Sequence, residues 1–522
     1  MKKLIATLLF LTFAVSTIAC GAAEAATSRY PSVVIGLTEQ IAALDPADPN
    51  AGCKPHIGWE IYESLFDIDG FGGEMYPVLA RELTKVDALH YDVTIYDYIK
   101  DSAGNELKAS DVVFSFRLAY DSGKNNVLSK YMESVEALDE YTVRFTWKAE
   151  PLSVGDLEAM IAKTWVFTQA AYENSPDGFA TKPIATGPYV VTNFVAGSSV
   201  TMEANENYWQ TEESLVARQH QRNVQTIRFD TIAESAQMVT ALQTGRIDYA
   251  DNISSSNLPD FMEGGRYADS FSIDSYLDNQ VYFLTPNCSA NSPCSDINLR
   301  LALYYAVDNS QLCKALNSDA RVVSTFCNPN YPEYSDAFAS QENYITTSDV
   351  NLAKEYLAKS CYNGSTLKIL LQNSENEQSM AQILQLIWDQ YLNVKVEFLT
   401  YDRATVKEYK EYNDMWDLCL ETRGSTDYAI TFLKGMFDEG TRHTAMWVDG
   451  DEELRSLASQ LQTVEGHNAE VYAKFHDHVV ANAYEMPILS IYKYGVYAKS
   501  LARIIKTAKN YILPGGCTYT QK

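Results

Sequence analysis

Two short apolar runs, Leu367-Lys368-Ile369-Leu370-Leu371 and Val394-Lys395-Val396-Glu397-Phe398, flank a stretch in which Met380, Ile383, Leu384, Ile387, Trp388 and Tyr391 recur at helical spacing. The flanking runs read as strands and the repeat between them presents one apolar helical face, so the unit is strand–helix–strand. Such a connection places the two strands parallel in one sheet with a right-handed crossover, and it commits the chain to an α/β architecture. Elsewhere Val143, Phe145 and Trp147 alternate with Arg144 and Thr146, the two-residue period of a half-buried strand. The stretches 452–461 and 469–483 read as helices. Residues beyond about 30 carry no low-complexity tract, long linker or internal repeat. At roughly 150 residues per domain, 522 residues make two to four domains, so more than one lobe is expected.

The first segment has a different purpose. Lys2 and Lys3 precede an apolar run over 4–19, the charged and hydrophobic regions of an export signal. At about sixteen residues the run falls short of the roughly twenty that span a bilayer. It ends in Thr17-Ile18-Ala19-Cys20-Gly21, which resembles the lipobox of bacterial lipoproteins. In those proteins the signal is cut before the Cys, whose sulfur then carries the lipid, so residues 1–19 are expected to leave and Cys20 to be lipidated. Ordinary cleavage within Ala22-Ala23-Glu24-Ala25-Ala26 is the alternative. Either cut removes Lys2 and Lys3, and cleavage before Cys20 deepens the net charge from −27 to −29. A surface so acidic repels phosphate backbones and anionic headgroups, which argues against nucleic-acid binding and electrostatic membrane docking.

Export also frames the cysteines. Apart from Cys20 there are eight, an even number compatible with disulfides in an oxidising compartment. Cys288–Cys294 and Cys313–Cys327 are the expected local pairs because short separations ease encounter. No spacing is C-x-x-C and no histidine pair stands beside the cysteines, so no zinc or other metal site is expected.

Catalytic signatures are missing. The chain has no G-x-S-x-G nucleophile elbow, no H-E-x-x-H helix and no Walker-type phosphate loop. His476 and His478, two apart on a helix, point in different directions and read as a solvated face. Asp97, Asp101 and Asp111 are spaced too irregularly for an acid/base pair. Weight shifts from catalysis to binding.

A series of short segments then runs through the chain in a fixed order: Leu44-Asp45-Pro46, Ile61-Tyr62-Glu63-Ser64-Leu65-Phe66, Tyr76-Pro77-Val78-Leu79-Ala80, Asn105 to Ser115 with Ser110 and Asp111 at its centre, Ala185-Thr186-Gly187-Pro188-Tyr189, and Asn205-Glu206-Asn207-Tyr208-Trp209. There follow Ala241-Leu242-Gln243-Thr244-Gly245-Arg246-Ile247-Asp248, Asp296-Ile297-Asn298-Leu299-Arg300, and Glu485-Met486-Pro487-Ile488. Each reads physically as scaffold: Gly187-Pro188 as a turn with an unusual backbone angle feeding a strand, Ser110 or Asp111 as a helix cap, Gly245 as a helix stop. Taken in order from about residue 30 to the C-terminus, the series resembles extracytoplasmic solute-binding protein family 5, the peptide/nickel-type receptors of ABC importers.

That resemblance implies a three-lobed periplasmic-binding-protein-like fold (type II, cluster C), with two main α/β lobes joined by a hinge plus an extra lobe. Lobe I is expected at 27–62, 190–275 and 485–522, lobe II at 63–189 and lobe III at 276–484. It further implies a binding lipoprotein, not an enzyme, that captures a peptide or other small organic ligand in an interlobe cleft. The protein would deliver that ligand to the transmembrane subunits of an ABC permease, working without a cofactor as an exported monomer, in the periplasm or at the outer face of a bacterial cytoplasmic membrane. A nickel- or metal-chelate receptor of the same transporter class is the alternative ligand reading, and a secreted hydrolase the alternative class.

By the same resemblance, the lobe III contact region is the segment from Trp416 through Glu421, Arg423, Asp427 and Tyr428. Peptide-binding members resemble W-x-x-D-Y there, with the Asp holding the peptide ammonium. Here the ungapped position falls on Ser425, and Asp427 fits only after a shift of two. Arg423 is suited to clamp a carboxylate through its planar fork, its other reading being a structural ion pair with Glu421 or Asp427. Trp416 is a stacking surface or a core residue. Lys54 and His56 correspond to a lobe I cleft loop, and Lys163, beside Trp165, to a lobe II contact.

Overall fold

A computed structural model describes residues 29–49, 52–68, 75–151, 157, 160–278, 280–316, 320–323, 347–423, 447–448, 450–461, 463, 465–466, 468–507 and 510–520. Cys20, Cys327, Asp427 and Tyr428 lie outside the described residues.

The strand–helix–strand unit forms as its periodicity demands. Strands Leu367–Gln372 and Val396–Tyr401 pair in parallel, Leu367 opposite Val396, around the helix Glu375–Leu392. That helix buries Met380, Leu384, Ile387 and Trp388 against the sheet and leaves Leu386 exposed. Ser374 caps its start and Asn393, in the left-handed region, ends it.

These strands belong to a twelve-stranded sheet organised about one long strand, Met486–Ala498. Its second half pairs antiparallel with Phe271–Leu277 and Tyr249–Ala250. Its first half pairs with Val281–Pro286 and Ala320–Val322. Two consecutive strands thus hold opposite halves of a third, and the chain crosses between them after Asp278 and before Gln280. On one side of this crossover the sheet continues through Tyr30–Leu37, Val224–Thr231, Ser199–Ala204 and Tyr189–Val195. On the other it continues through Leu418–Arg423, Leu367–Gln372 and Val396–Tyr401.

Separate hydrophobic cores accompany the two wings. Val33, Ile35, Tyr62, Tyr189 and Phe229 centre one; Leu284, Leu303, Ile369, Leu384 and Ile488 centre the other. A third core belongs to a four-stranded antiparallel sheet in which the alternating strand Thr142–Trp147 is central, with Val143, Phe145 and Trp147 buried as expected. Core boundaries do not follow the expected break at 189. Phe167, Ala171 and Phe179 pack into the core of Val33 and Tyr62, while Tyr208 and Trp209 pack into that of the four-stranded sheet.

The ordered motifs meet in three dimensions. Glu63 is fully buried and accepts hydrogen bonds from Tyr208 Oη at 2.5 Å and Trp209 Nε1 at 2.7 Å. Asn205 donates its backbone N–H to Pro188 O at 2.8 Å and its amide to Gly187 O at 3.3 Å. Glycine at 187 answers a close approach, not an unusual backbone angle: a Cβ there would lie 2.2 Å from Ile61 O. Three segments far apart in sequence thus form one knot where the first core meets the third.

Other local readings are corrected. The helix Ala109–Asp121 begins at Lys108, and Asp111 serves it from the third helical position by accepting the Lys108 N–H at 2.8 Å. His476 is buried rather than solvated, and His478 is half-buried with Nε2 2.7 Å from Asp451. Cys288 and Cys294 are free thiols rather than a pair, Cys294 closed into the second core, so nearness in sequence did not bring matched geometry. Cys313 is also a free thiol. Among the described residues no helix is long and apolar enough to cross a membrane.

Candidate ligand cleft

Parallel strands end in loops that gather at one edge of their sheet, and ligands of α/β proteins bind beyond those carboxyl ends. Tyr30–Leu37 and Tyr249–Ala250 are parallel neighbours, and the residues just past them, Thr38-Glu39 and Asp251-Asn252, line a cavity of about 260 Å³. The two ends are stapled together: Asp251 donates its backbone N–H to Gly36 O at 3.0 Å and accepts from Thr38 N and Oγ1, each at 3.1 Å.

The far wall comes from the crossover. Tyr276, Asp278 and Gln280 line it together with Lys493 of the long strand. Lys493 pairs with Asp278 at 2.9 Å. Behind Tyr276, Lys506 lies 3.9 Å from the ring centroid and pairs with Asp274, which also accepts from Tyr249 Oη at 3.0 Å. Gly495 makes room for that bond, since a Cβ there would sit 2.5 Å from the Tyr249 oxygen. The helix Pro55–Ile61 closes the remaining side with His56, whose ring stacks on Tyr511 at 5.3 Å.

Electrostatically the cleft is acidic, with Glu39, Asp251 and Asp278 against Lys493. Burial pushes the Asp251 carboxyl up to about 6, opposed by the hydrogen bonds from Thr38. Burial lowers His56 to about 4, so its imidazole is neutral at pH 7.

The expected contact residues separate into distinct places. His56 lines the cavity and Lys54 stands at its rim, 3.3 Å from Glu39. Arg423 and Glu421 sit elsewhere, in a sealed charge cluster. Arg423 donates to Glu421, to Glu485 and, at 2.8 Å, to Thr285 Oγ1, and Lys410 donates to Glu421 at 2.6 Å and 2.7 Å. Burial raises Glu421, but Arg423 and Lys410 overcome it and hold the carboxyl down to about 2. Of the two ion-pair partners considered for Arg423, Glu421 is present; Glu485, the first residue of the last scaffold motif, is the second one found. Trp416 is 1% exposed among Leu370, Val406 and Cys419, so its ring faces core. Lys163 is exposed next to Trp165, whose ring stacks on Tyr62 at 5.2 Å.

Sequence reasoning missed Asp251, Tyr276, Asp278, Lys493 and Tyr511. One signal pointed at the first: Gly245 reads as a helix stop, and Asp251 lies just past the short strand Tyr249–Ala250 that follows it, beyond whose carboxyl end a ligand would be sought.

Comparison with known proteins shows the family and the fold. Residues 74–441 match the family described as bacterial extracellular solute-binding proteins, family 5 Middle. The oligopeptide-binding protein OppA of Bacillus subtilis is 22% identical over 506 residues, covering 88% of this chain and 87% of its own length. The glutathione-binding protein GsiB of Escherichia coli is 24% identical over 371 residues, 70% of this chain and 68% of its own. Among solved structures, the ABC transporter substrate-binding protein CtaP of Listeria monocytogenes superimposes with a TM-score of 0.77 at 19% identity, covering 95% of this chain and all of that one.

Proposed function

The chain belongs to the bacterial extracellular solute-binding proteins of family 5, whose members serve ABC importers as binding proteins and not as enzymes, and from that premise we propose that it is the receptor for a peptide or a similar small amine-bearing solute. The observation that carries the ligand reading is the cleft at the crossover, walled by the carboxyl ends of parallel strands on one side and by Tyr276, Asp278 and Gln280 on the other. A cavity there changes shape whenever the wing built on Val281–Pro286 moves against the wing built on Tyr30–Leu37. Ligand contacts made only in the closed form then stabilise that form, and the permease reads it. In this reading the wing of Tyr30–Leu37 is lobe I, the wing of Leu367–Gln372 is lobe III, and the four-stranded sheet is lobe II. Cys20 carries the lipid that keeps the receptor, a monomer, beside its permease.

Small-angle scattering and mass spectrometry of the mature chain with a defined mixture of short peptides test this reading. The expected result is a smaller radius of gyration with the peptides recovered intact. Peptide cleavage, or an unchanged radius and melting temperature with every peptide, would overturn it.

A further inference from the structure

Two polar side chains on the cleft wall have hydrogen-bonding capacity that the described residues do not use. His56 is 5% exposed and among the described residues neither ring nitrogen has a partner, although Tyr511 and Phe229 hold the ring in place. A buried imidazole is costly in that condition, because its lost hydration is not replaced. Its nitrogens need a polar atom brought in through the cavity they line. Asp251 shows the same openness in charge. Its carboxylate accepts from Thr38 and from the Asn252 backbone N–H, all uncharged donors, and among the described residues no cation lies within ion-pair distance. The other two carboxylates of the cavity are engaged, Glu39 with Lys54 at 3.3 Å and Asp278 with Lys493 at 2.9 Å. Tyr249, Tyr276 and Tyr511 line the same space, and aromatic rings beside an uncompensated carboxylate suit an alkylammonium group.

We infer that Asp251 and His56 form the seat of the ligand's primary ammonium group. Asp251 supplies the charge and the imidazole accepts an N–H through one nitrogen, leaving its own N–H to donate to a neighbouring carbonyl of the ligand. At about 260 Å³ the cavity admits one end of a ligand, since whole small-molecule sites start at roughly 300 Å³. The inference rests on the receptor reading and deepens it. It assigns the ammonium contact to the wall beyond Tyr249–Ala250 instead of to Asp427.

Isothermal titration of the mature chain at physiological salt tests it with trialanine, N-acetyl-trialanine and putrescine. Trialanine is expected to bind, acetylation to weaken it at least tenfold, and Asp251→Asn to bring trialanine down to the level of the acetylated peptide. Equal binding of capped and free peptide, or full affinity in Asp251→Asn, overturns the seat while leaving the receptor reading standing. Putrescine binding that Asp251→Asn abolishes, with no peptide bound, supports the seat and overturns the peptide class. No binding of any probe overturns both. If Asp251→Asn does not fold, His56→Phe replaces it, keeping the stack on Tyr511 and deleting both nitrogens. A loss of about fivefold or more is then expected, and unchanged affinity overturns the seat.

Discussion

Glu421 and Asp251 are both carboxylates in part-buried polar sites, and their surroundings differ in one respect. Glu421 is met by Arg423 and Lys410, and Arg423 is met in turn by Glu485 and Thr285. Asp251 is met by the uncharged donors of Thr38 and Asn252 and by no cation among the described residues, in a cavity it shares with an imidazole whose nitrogens are idle among those residues. In the first place the protein answers its own charges; in the second it leaves them to be answered. A charged residue type in a binding protein therefore says little about ligand contact until its partners are counted. An arginine that suits a carboxylate ligand by its shape suits the receptor's own carboxylates equally well.

The largest expected effect lies in the closed cluster. Arg423→Ala leaves Glu421 and Glu485 short of their shared cation in a buried site, and breaking such a pair costs about 3–5 kcal/mol. Urea unfolding should show a loss of that size. A stable Arg423→Ala protein with lost ligand affinity would reverse the comparison.

Asp251→Asn should do the opposite. It lowers affinity for an amine-bearing ligand at least tenfold, about 1.4 kcal/mol of binding, and costs little stability, because the carboxylate it neutralises is held out of water. Paired calorimetry and thermal melts separate the two effects. A fall in melting temperature comparable to that of Arg423→Ala would mean that Asp251 is scaffold.

Acidity sharpens the same contrast. With Asp251 at about 6, lowering the pH through that value protonates the carboxyl and removes its attraction for an ammonium, so affinity is present above about 6 and lost below it. His56, at about 4, stays neutral across this range, and Glu421, at about 2, stays ionised. Titrations at a series of pH values should show the fall in wild type and a flat profile in Asp251→Asn. A fall preserved in the variant would assign it to another group.

The smallest effect concerns a third carboxylate. Glu60 is buried, accepts a hydrogen bond from Gly515 N at 3.2 Å, and is raised by burial to about 8. The folded state holds this proton where the unfolded chain, near 4.5, has released it, so Glu60 makes stability fall as pH rises from about 4.5 to 8. Glu60→Gln should melt a few degrees above wild type at pH 8 and converge with it below 4.5. Parallel curves would mean that Glu60 is already ionised in the fold.

What the sequence made legible was whatever rests on local periodicity. Helix Glu375–Leu392, its two parallel strands and the alternating strand Thr142–Trp147 follow from spacing, because 3.6 and 2.0 are properties of the backbone. The order of the motifs identified the family, and their convergence on Glu63 shows what holds that order in place: residues about 145 apart complete one hydrogen-bonded knot. Pairings across the fold were not legible. Nothing near Arg423 announces Glu485, 62 residues on, and nothing near Asp251 distinguishes it from other acidic residues. Its position becomes meaningful only when the strand before it is known to lie parallel beside Tyr30–Leu37. His476 was misread for the same reason, since helical spacing separates it from His478 but does not say which neighbour covers which face.

Native mass spectrometry of the mature chain, purified without denaturation alongside Asp251→Asn and Arg423→Met, tests the central claim most directly. The account predicts a single small amine-bearing molecule bound per wild-type chain, retained by folded Arg423→Met and lost from folded Asp251→Asn. An anionic ligand without an amine, retained by Asp251→Asn and released by Arg423→Met, would contradict it.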